Sequence, residues 1–100
     1  MLVAFSVAPS GADGSDSVSE AVAAAVKVVR DSGLPHETTS MFTTIEGEWD
    51  EVMEVVKRAT EAVSSRAPRT SLVLKADIRP GHTGQLQSKV QRVEEHLDEQ

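Results

Sequence analysis

The hydrophobic periodicity of this chain changes at Gly47. Residues 42–47 have the threonine and isoleucine content of a β-strand, whereas the apolar residues after Gly47 recur at helical spacing. These residues are Trp49, Val52, Met53 and Val56. A strand that passes into a helix at a glycine brings the polar side chains beside the glycine to one corner of the fold. We therefore expect residues 41–53 to form a ligand-binding corner.

The chain before this corner has the pattern of a strand followed by a helix. Residues 2–8 are an apolar run that predicts a buried strand ending at Pro9. Ser17 and Glu20 have the spacing of a capping box at the start of a helix. The turn residues at positions 32–35 predict where this helix ends.

The middle of the chain predicts a hairpin and a second helix. Residues 36–40 and 42–47 favour two strands with a turn near Ser40 and Met41. Residues 48–64 favour a helix, with acidic residues in its first turn as the helix dipole prefers. Its expected inward side chains are Trp49, Val52, Met53, Val56, Ala59 and Val63.

A fourth strand and a third helix complete the pattern. Residues 70–79 alternate between two faces, as half-buried strands do. One face is Leu72, Leu74, Ala76 and Ile78, and the other is Ser71, Val73, Lys75 and Asp77. Near the end of the chain an apolar stripe predicts an amphipathic helix. The stripe consists of Leu86, Val90, Val93 and Leu97.

The element order β-α-β-β-α-β-α predicts an α+β fold of the ferredoxin-like, split β-α-β type. We expect a four-stranded antiparallel sheet with helices on one face and an added C-terminal helix, all in one domain over residues 1–100. The length of 100 residues suits a single core. The uncovered face would present Leu2, Ala4, Ala8 and Val73, so sheet-to-sheet packing into a homo-oligomer is expected.

Composition excludes several classes of function. The net charge of −6 opposes nucleic-acid binding, which requires basic surface to neutralise phosphates. The chain has no cysteine, so disulfides and thiolate chemistry are absent, as is common in a reducing cytoplasm. No signal peptide and no apolar run of membrane-spanning length is present, so we expect a cytoplasmic protein that does not bind membranes.

Polar residues around Gly47 are the best candidates for ligand binding. Thr43 and Thr44 offer hydroxyl donors and acceptors, and Glu46 and Glu48 offer carboxylates. The alternative is that the threonines satisfy strand propensity and the glutamates cap a helix. Trp49 is more typical of a core residue than of a stacking platform.

Other candidate sites are weaker. His36, His82 and His96 lie on separate predicted elements without ligand spacing, so a metal site is not expected. Nothing in the sequence requires a catalytic residue. The loop at residues 9–19 is rich in glycine and hydroxyls and precedes a helix, but it lacks the spacing of a phosphate loop. It is better interpreted as the lip of a pocket.

Four segments of the chain are similar to one known family. Residues 7–9, 32–35, 43–53 and 67–69 resemble, in the same order, the small thiamine-binding-protein family. The most specific part is the run at residues 45–50.

The resemblance implies a ferredoxin-like fold, tetramers built from paired dimers, and binding of thiamine or its hydroxymethylpyrimidine part. It implies no catalytic activity and no cofactor other than thiamine as the ligand. The expected ligand-binding residues are Ser6, Pro9, Ser19, Phe42, Thr43, Thr44, Glu46 and Glu48. Two other functions stay open at this point. One is a small-molecule enzyme with Glu46, Glu48 or His36 as its base, and the other is a structural oligomer without a ligand.

Overall fold

The computed structural model describes residues 1–10 and 15–99. In this part of the chain four strands and three helices follow the predicted order. The elements are β1 (Leu2–Ser10), α1 (Ser15–Asp31), β2 (His36–Thr38), β3 (Thr43–Glu46), α2 (Trp49–Ser64), β4 (Arg69–Asp77) and α3 (Gln85–Asp98). The strands form one sheet in the order β2-β3-β1-β4, and every neighbouring pair is antiparallel. The predicted α+β, ferredoxin-like arrangement is confirmed.

One face of the sheet carries the core. Val3, Phe5 and Val7 alternate along β1 and are buried against α1 and α2. Their partners Ile45 on β3 and Leu74 on β4 point to the same face, because residues directly opposite in an antiparallel pair share a face. The core is therefore a layer of small aliphatic side chains between the sheet and two helices.

The buried side chains of α2 differ from the predicted set at two positions, Val55 and Trp49. Val55, which was not expected to point inward, is buried together with the predicted Val52, Val56, Ala59 and Val63. Trp49 was predicted to be inward, but 54% of its surface is exposed. It is the first residue of α2 and precedes the part of the helix that contacts the sheet, so the core does not cover its ring.

The limits of three elements also differ from prediction. The helix α1 begins at Ser15, so Ser17 lies within it and cannot be its N-cap. The strand β1 continues past Pro9 to Ser10, because β3 pairs with β1 only as far as Phe5. Beyond that point β1 has a free edge, where proline is tolerated. Residues 11–14 of the predicted loop lie outside the described residues.

The strand β4 ends at Asp77, so Ile78 leaves the sheet and is 59% exposed. The hairpin turn lies near Ser40 and Met41 as predicted. The Thr39 hydroxyl organises this turn, because it accepts a hydrogen bond from the Phe42 amide at 3.2 Å.

The third helix lies apart from the core. None of the residues of α3 is buried, and its predicted apolar stripe is exposed at Val90, Val93 and Leu97. The radius of gyration is 15.2 Å, against about 13 Å for a compact domain of this length. The helix thus extends the molecule instead of adding to its core. Within the described residues, no helix is long and apolar enough to cross a membrane.

The core position of Ile45 predicts a large loss of stability on truncation. Ile45 is fully buried, so Ile45→Ala should lower the free energy of unfolding by about 3 kcal/mol through lost burial and a residual cavity. Ile78→Ala removes the same atoms from an exposed position and should change it by less than about 0.5 kcal/mol. Urea denaturation of both variants measures the difference, and equal losses would contradict this placement of the core.

Candidate ligand-binding site

The alternation of β3 separates the polar residues that the sequence places together. Thr43 is 8% exposed and points with Ile45 to the face covered by α1 and α2. Thr44 and Glu46 point to the opposite face, hereafter the open face. Neighbouring residues of a strand cannot serve one pocket on one face, so the expected cluster is divided between two sites.

Glu46 binds the start of α3. Its carboxylate accepts hydrogen bonds from the backbone amides of Gln85, at 2.8 Å, and Leu86, at 3.3 Å. Both amides belong to the first turn of the helix, where they have no partner within the helix and the dipole favours a negative charge. Gly84, with φ of 68°, gives the chain the left-handed conformation that precedes this turn. Glu46 therefore holds α3 against the open face of the sheet.

Gly47 and Glu48 form the corner between β3 and α2. Glu48 is the N-cap of α2, and its amide donates to Glu51 Oε1 at 2.8 Å. A Cβ atom at Gly47 would lie 2.7 Å from the same oxygen, so only glycine fits without moving it. The Met1 amino group and the Gly47 carbonyl oxygen are 2.8 Å apart and hydrogen-bonded. Glu46 and Glu48 thus each lie at the N-terminus of a helix. This is the capping role that the sequence analysis gave as the alternative to ligand binding.

A cavity of about 430 Å³ opens at this corner, hereafter the carboxylate cavity. Its apolar wall comes from Met1, Leu34, Pro35 and Leu86, and its polar wall from Glu46, Glu48 and Glu51. Glycines 47 and 84 bring backbone close to the space. An apolar wall facing several carboxylates suits a flat ligand that carries a positive charge or amino groups.

A second cavity of about 180 Å³, hereafter the hydroxyl groove, lies between α1 and the β2–β3 turn. Ser6, Phe42 and Thr43 are among its lining residues. Thr38, Thr39 and Ser40 also line the groove. Three of the eight expected site residues therefore meet here, away from Glu46 and Glu48.

The other three expected residues reach neither cavity. Ser19 lies on the exposed surface of α1. Pro9 pairs with Thr70 at the far end of β1, and Thr44 lies on the open face between Ala4 and Glu37.

Sequence reasoning missed Met1, Leu34 and Leu86 as site residues. Each had a simpler explanation as a chain end, a turn residue or part of a helical stripe. A signal for Leu34 exists in its position between Gly33 and Pro35, which places an apolar side chain in a turn. For Met1 and Leu86 no local pattern was available, because they approach the cavity through tertiary contacts.

An ion pair between Asp77 and Lys89 gives α3 a second attachment to the sheet. The hydrogen bond from Lys89 and its positive charge lower the pKa of Asp77 below its usual range. A carboxyl whose pKa is lowered by folding stabilises the folded state above its unfolded pKa of about 4. The contribution is lost as the pH falls through the lower, folded value, so acid should loosen α3.

The fold is a small α+β domain of ferredoxin-like topology with two cavities beside the strand β3. The family model described as "Thiamine-binding protein" matches residues 3–94. The chain belongs to this thiamine-binding protein family, as its sequence motifs indicated.

Relatives agree with this assignment. A Mycobacterium bovis relative, UPF0045 protein Mb1933, is 56% identical over 98 residues, which cover 97% of this chain and 94% of the relative. The hypothetical protein MJ1052 of Methanocaldococcus jannascii is 30% identical, with a TM-score of 0.83 over 94% of this chain and 95% of that one. A candidate thiamine biosynthesis/salvage protein of Thermotoga maritima, TM0486, is 28% identical, with a TM-score of 0.76 over 92% of this chain and 96% of that one.

The contacts of Glu46 predict that its charge holds α3 in place. Glu46→Gln leaves one acceptor oxygen and sets an amide NH₂ against a helix amide, so α3 should detach more often. Hydrogen exchange at the amides of Gln85 and Leu86 should accelerate about tenfold or more. Glu94→Gln, on the exposed surface of α3, removes the same charge without this contact and should leave exchange unchanged. Equal exchange in both variants would show that the carboxylate does not anchor the helix.

Proposed function

We propose that this protein binds thiamine or its hydroxymethylpyrimidine part without transforming it, as a carrier or sensor in thiamine metabolism. The observation that carries the proposal is the family match over residues 3–94. The name of the Thermotoga maritima relative, with its reference to thiamine biosynthesis or salvage, points in the same direction. The cytoplasmic location expected from the sequence is part of the same proposal.

The carboxylate cavity has the chemistry that thiamine requires. Thiamine carries a cationic thiazolium ring and an aminopyrimidine ring joined by one methylene. Glu48 and Glu51 are exposed carboxylates at the cavity wall and can neutralise the cation. The half-buried side chains of Met1, Leu34 and Leu86 offer apolar contact to the ring faces.

Volume favours this cavity over the hydroxyl groove. Sites for small organic ligands usually measure about 300–1,000 Å³. The carboxylate cavity, at about 430 Å³, lies within that range, whereas the groove, at about 180 Å³, lies below it. The groove would have to open before it could accept a whole thiamine molecule. We therefore assign the ligand to the carboxylate cavity and treat the groove as the second candidate position.

The structural roles of the three candidate bases favour binding without catalysis. Both oxygens of Glu46 accept backbone hydrogen bonds from α3. His36 Nδ1 lies 2.8 Å from the carbonyl oxygen of Leu34, and Glu48 caps α2. Each candidate base thus has a role in holding the backbone. A general base must instead be free to reach a proton of the substrate.

Self-association is the second part of the proposal. Val90, Val93 and Leu97 form an exposed apolar stripe on α3, and Val73 is exposed on the open face. Apolar area of this kind is usually covered by a partner. A second copy of the chain, packed against the open face and α3, would cover both, in the dimers or tetramers that the family resemblance implies.

Calorimetric titration with thiamine tests the ligand and its position. Wild type should bind saturably, and Glu48→Gln should weaken binding about tenfold, because it removes a charge beside the cation and keeps the shape of the side chain. Glu61→Gln removes the same charge from an exposed position near the far end of α2 and should have no effect. Hydroxymethylpyrimidine, which lacks the thiazolium, should be less sensitive to Glu48→Gln.

Thr43→Val tests whether the hydroxyl groove is the position of the ligand. It replaces a hydroxyl by a methyl group in the groove wall and should leave thiamine affinity unchanged. A loss of affinity in Thr43→Val with none in Glu48→Gln would move the ligand to the groove. Flat titrations of the folded wild-type protein with every thiamine compound would overturn the proposed function.

Sedimentation velocity tests self-association. Wild type should sediment as a dimer or larger at micromolar concentration, and Val90→Glu should shift it towards monomer by placing a charge in the apolar stripe. Gln91→Glu adds the same charge beside the stripe and should preserve the assembly. A monomeric wild type would remove this part of the proposal.

A further inference from the structure

A cavity of about 360 Å³ shares Met1 with the carboxylate cavity and lies between the end of β4 and α3. Four of its lining residues can carry positive charge, namely Arg79, His82, Lys89 and Arg92. Asp77 is the acidic residue in the lining. This space is hereafter the basic cleft.

The charge of the basic cleft contrasts with that of the whole chain. The protein has 10 basic and 16 acidic residues and a net charge of −6. Inside the cleft the two arginines and Lys89 outnumber Asp77, so the local charge is positive even with His82 neutral. A positive cleft on an acidic protein is not a by-product of composition.

Internal pairing leaves much of this charge free. Lys89 is bound to Asp77, which consumes one positive charge. Arg92 donates from Nε to the Ser88 carbonyl oxygen at 3.3 Å and from one terminal nitrogen to Gln85 Oε1 at 2.9 Å. Both acceptors are uncharged, so they orient the guanidinium and do not neutralise it. In the part of the chain that the structure describes, the guanidinium of Arg79 has no ion-pair partner.

Helix α3 holds these groups in place. Its first turn is anchored by Glu46 through the amides of Gln85 and Leu86. Lys89 lies one turn further along and Arg92 nearly two, so both project from an attached segment. Arg79 and His82 come from the connection between β4 and α3, where the His82 amide donates to the Arg79 carbonyl oxygen at 3.2 Å. Two arginines from separate segments, each with a planar set of donors, match the tetrahedral oxygens of phosphate.

We propose that the basic cleft binds a phosphate group, held by Arg79 and Arg92 with Lys89 and His82 at its border. The ligand class is a phosphate ester or a diphosphate. The cleft and the carboxylate cavity have Met1 in common and carry opposite charges. This extension rests on the thiamine proposal. If that proposal holds, a phosphorylated thiamine would place its rings beside the carboxylates and its phosphate in the basic cleft.

Titration of the full chain with inorganic pyrophosphate tests the site without reference to thiamine. Wild type should bind saturably, and Arg79→Gln and Arg92→Gln should each weaken binding about tenfold. Lys57→Gln removes an exposed positive charge from α2 and should leave binding unchanged. No saturable binding, or an equal loss in Lys57→Gln and Arg79→Gln, would overturn the proposal.

Thiamine and thiamine monophosphate, titrated in parallel, separate this inference from the proposed function. The monophosphate should bind more tightly than thiamine, and Arg79→Gln should abolish that advantage while leaving thiamine affinity unchanged. Pyrophosphate binding without thiamine binding would support the basic cleft and overturn the thiamine proposal. Thiamine binding without pyrophosphate binding would do the reverse.

Discussion

The carboxylate of Glu46 joins the two parts of this protein. On one side lies a conventional core, in which α1 and α2 cover a four-stranded sheet. On the other side lies α3, which buries no residue of its own. The contact between Glu46 and the first turn of α3, together with the Asp77–Lys89 pair, attaches this helix to the open face of the sheet. Both cavities beside Met1 have α3 residues in their walls, so this attachment determines their shape.

The burial of Glu46 separates it from the other two carboxylates of the cavity, Glu48 and Glu51. The carboxylate of Glu46 is buried, and a buried charge is tolerated only when hydrogen bonds compensate for lost hydration. The helix amides supply that compensation. Glu48 and Glu51 are exposed and form the capping box of α2, and in the proposed site they face the cationic ligand. The cavity wall thus contains one buried carboxylate that anchors α3 and two exposed carboxylates at the start of α2.

Much of the fold could be predicted because it depends on local patterns. Alternation in β1 and the stripe of α2 depend on residues two to four positions apart, and they predicted all seven elements in order. The predictions were wrong where the limit or the burial of an element depends on residues that are distant in the sequence. Pro9 stays in a strand because β3 stops short of it, and Trp49 is exposed because the sheet does not reach it. The candidate site was predicted in part, since Glu46, Glu48 and Thr43 do line cavities, although not the same one.

The sequence by itself determined the order of the elements, the inward stripes and the family, because each rests on short-range periodicity or on a run of residues that can be compared directly. Tertiary structure alone decided which groups meet. Glu46 and Gln85 are 39 positions apart and Asp77 and Lys89 are 12 apart, and no local pattern relates residues at such separations. The same holds for the opposite charges of the two cavities that share Met1. They depend on where α3 docks, and its docking depends on Glu46 and the Asp77–Lys89 pair, whose partners only the folded chain brings near.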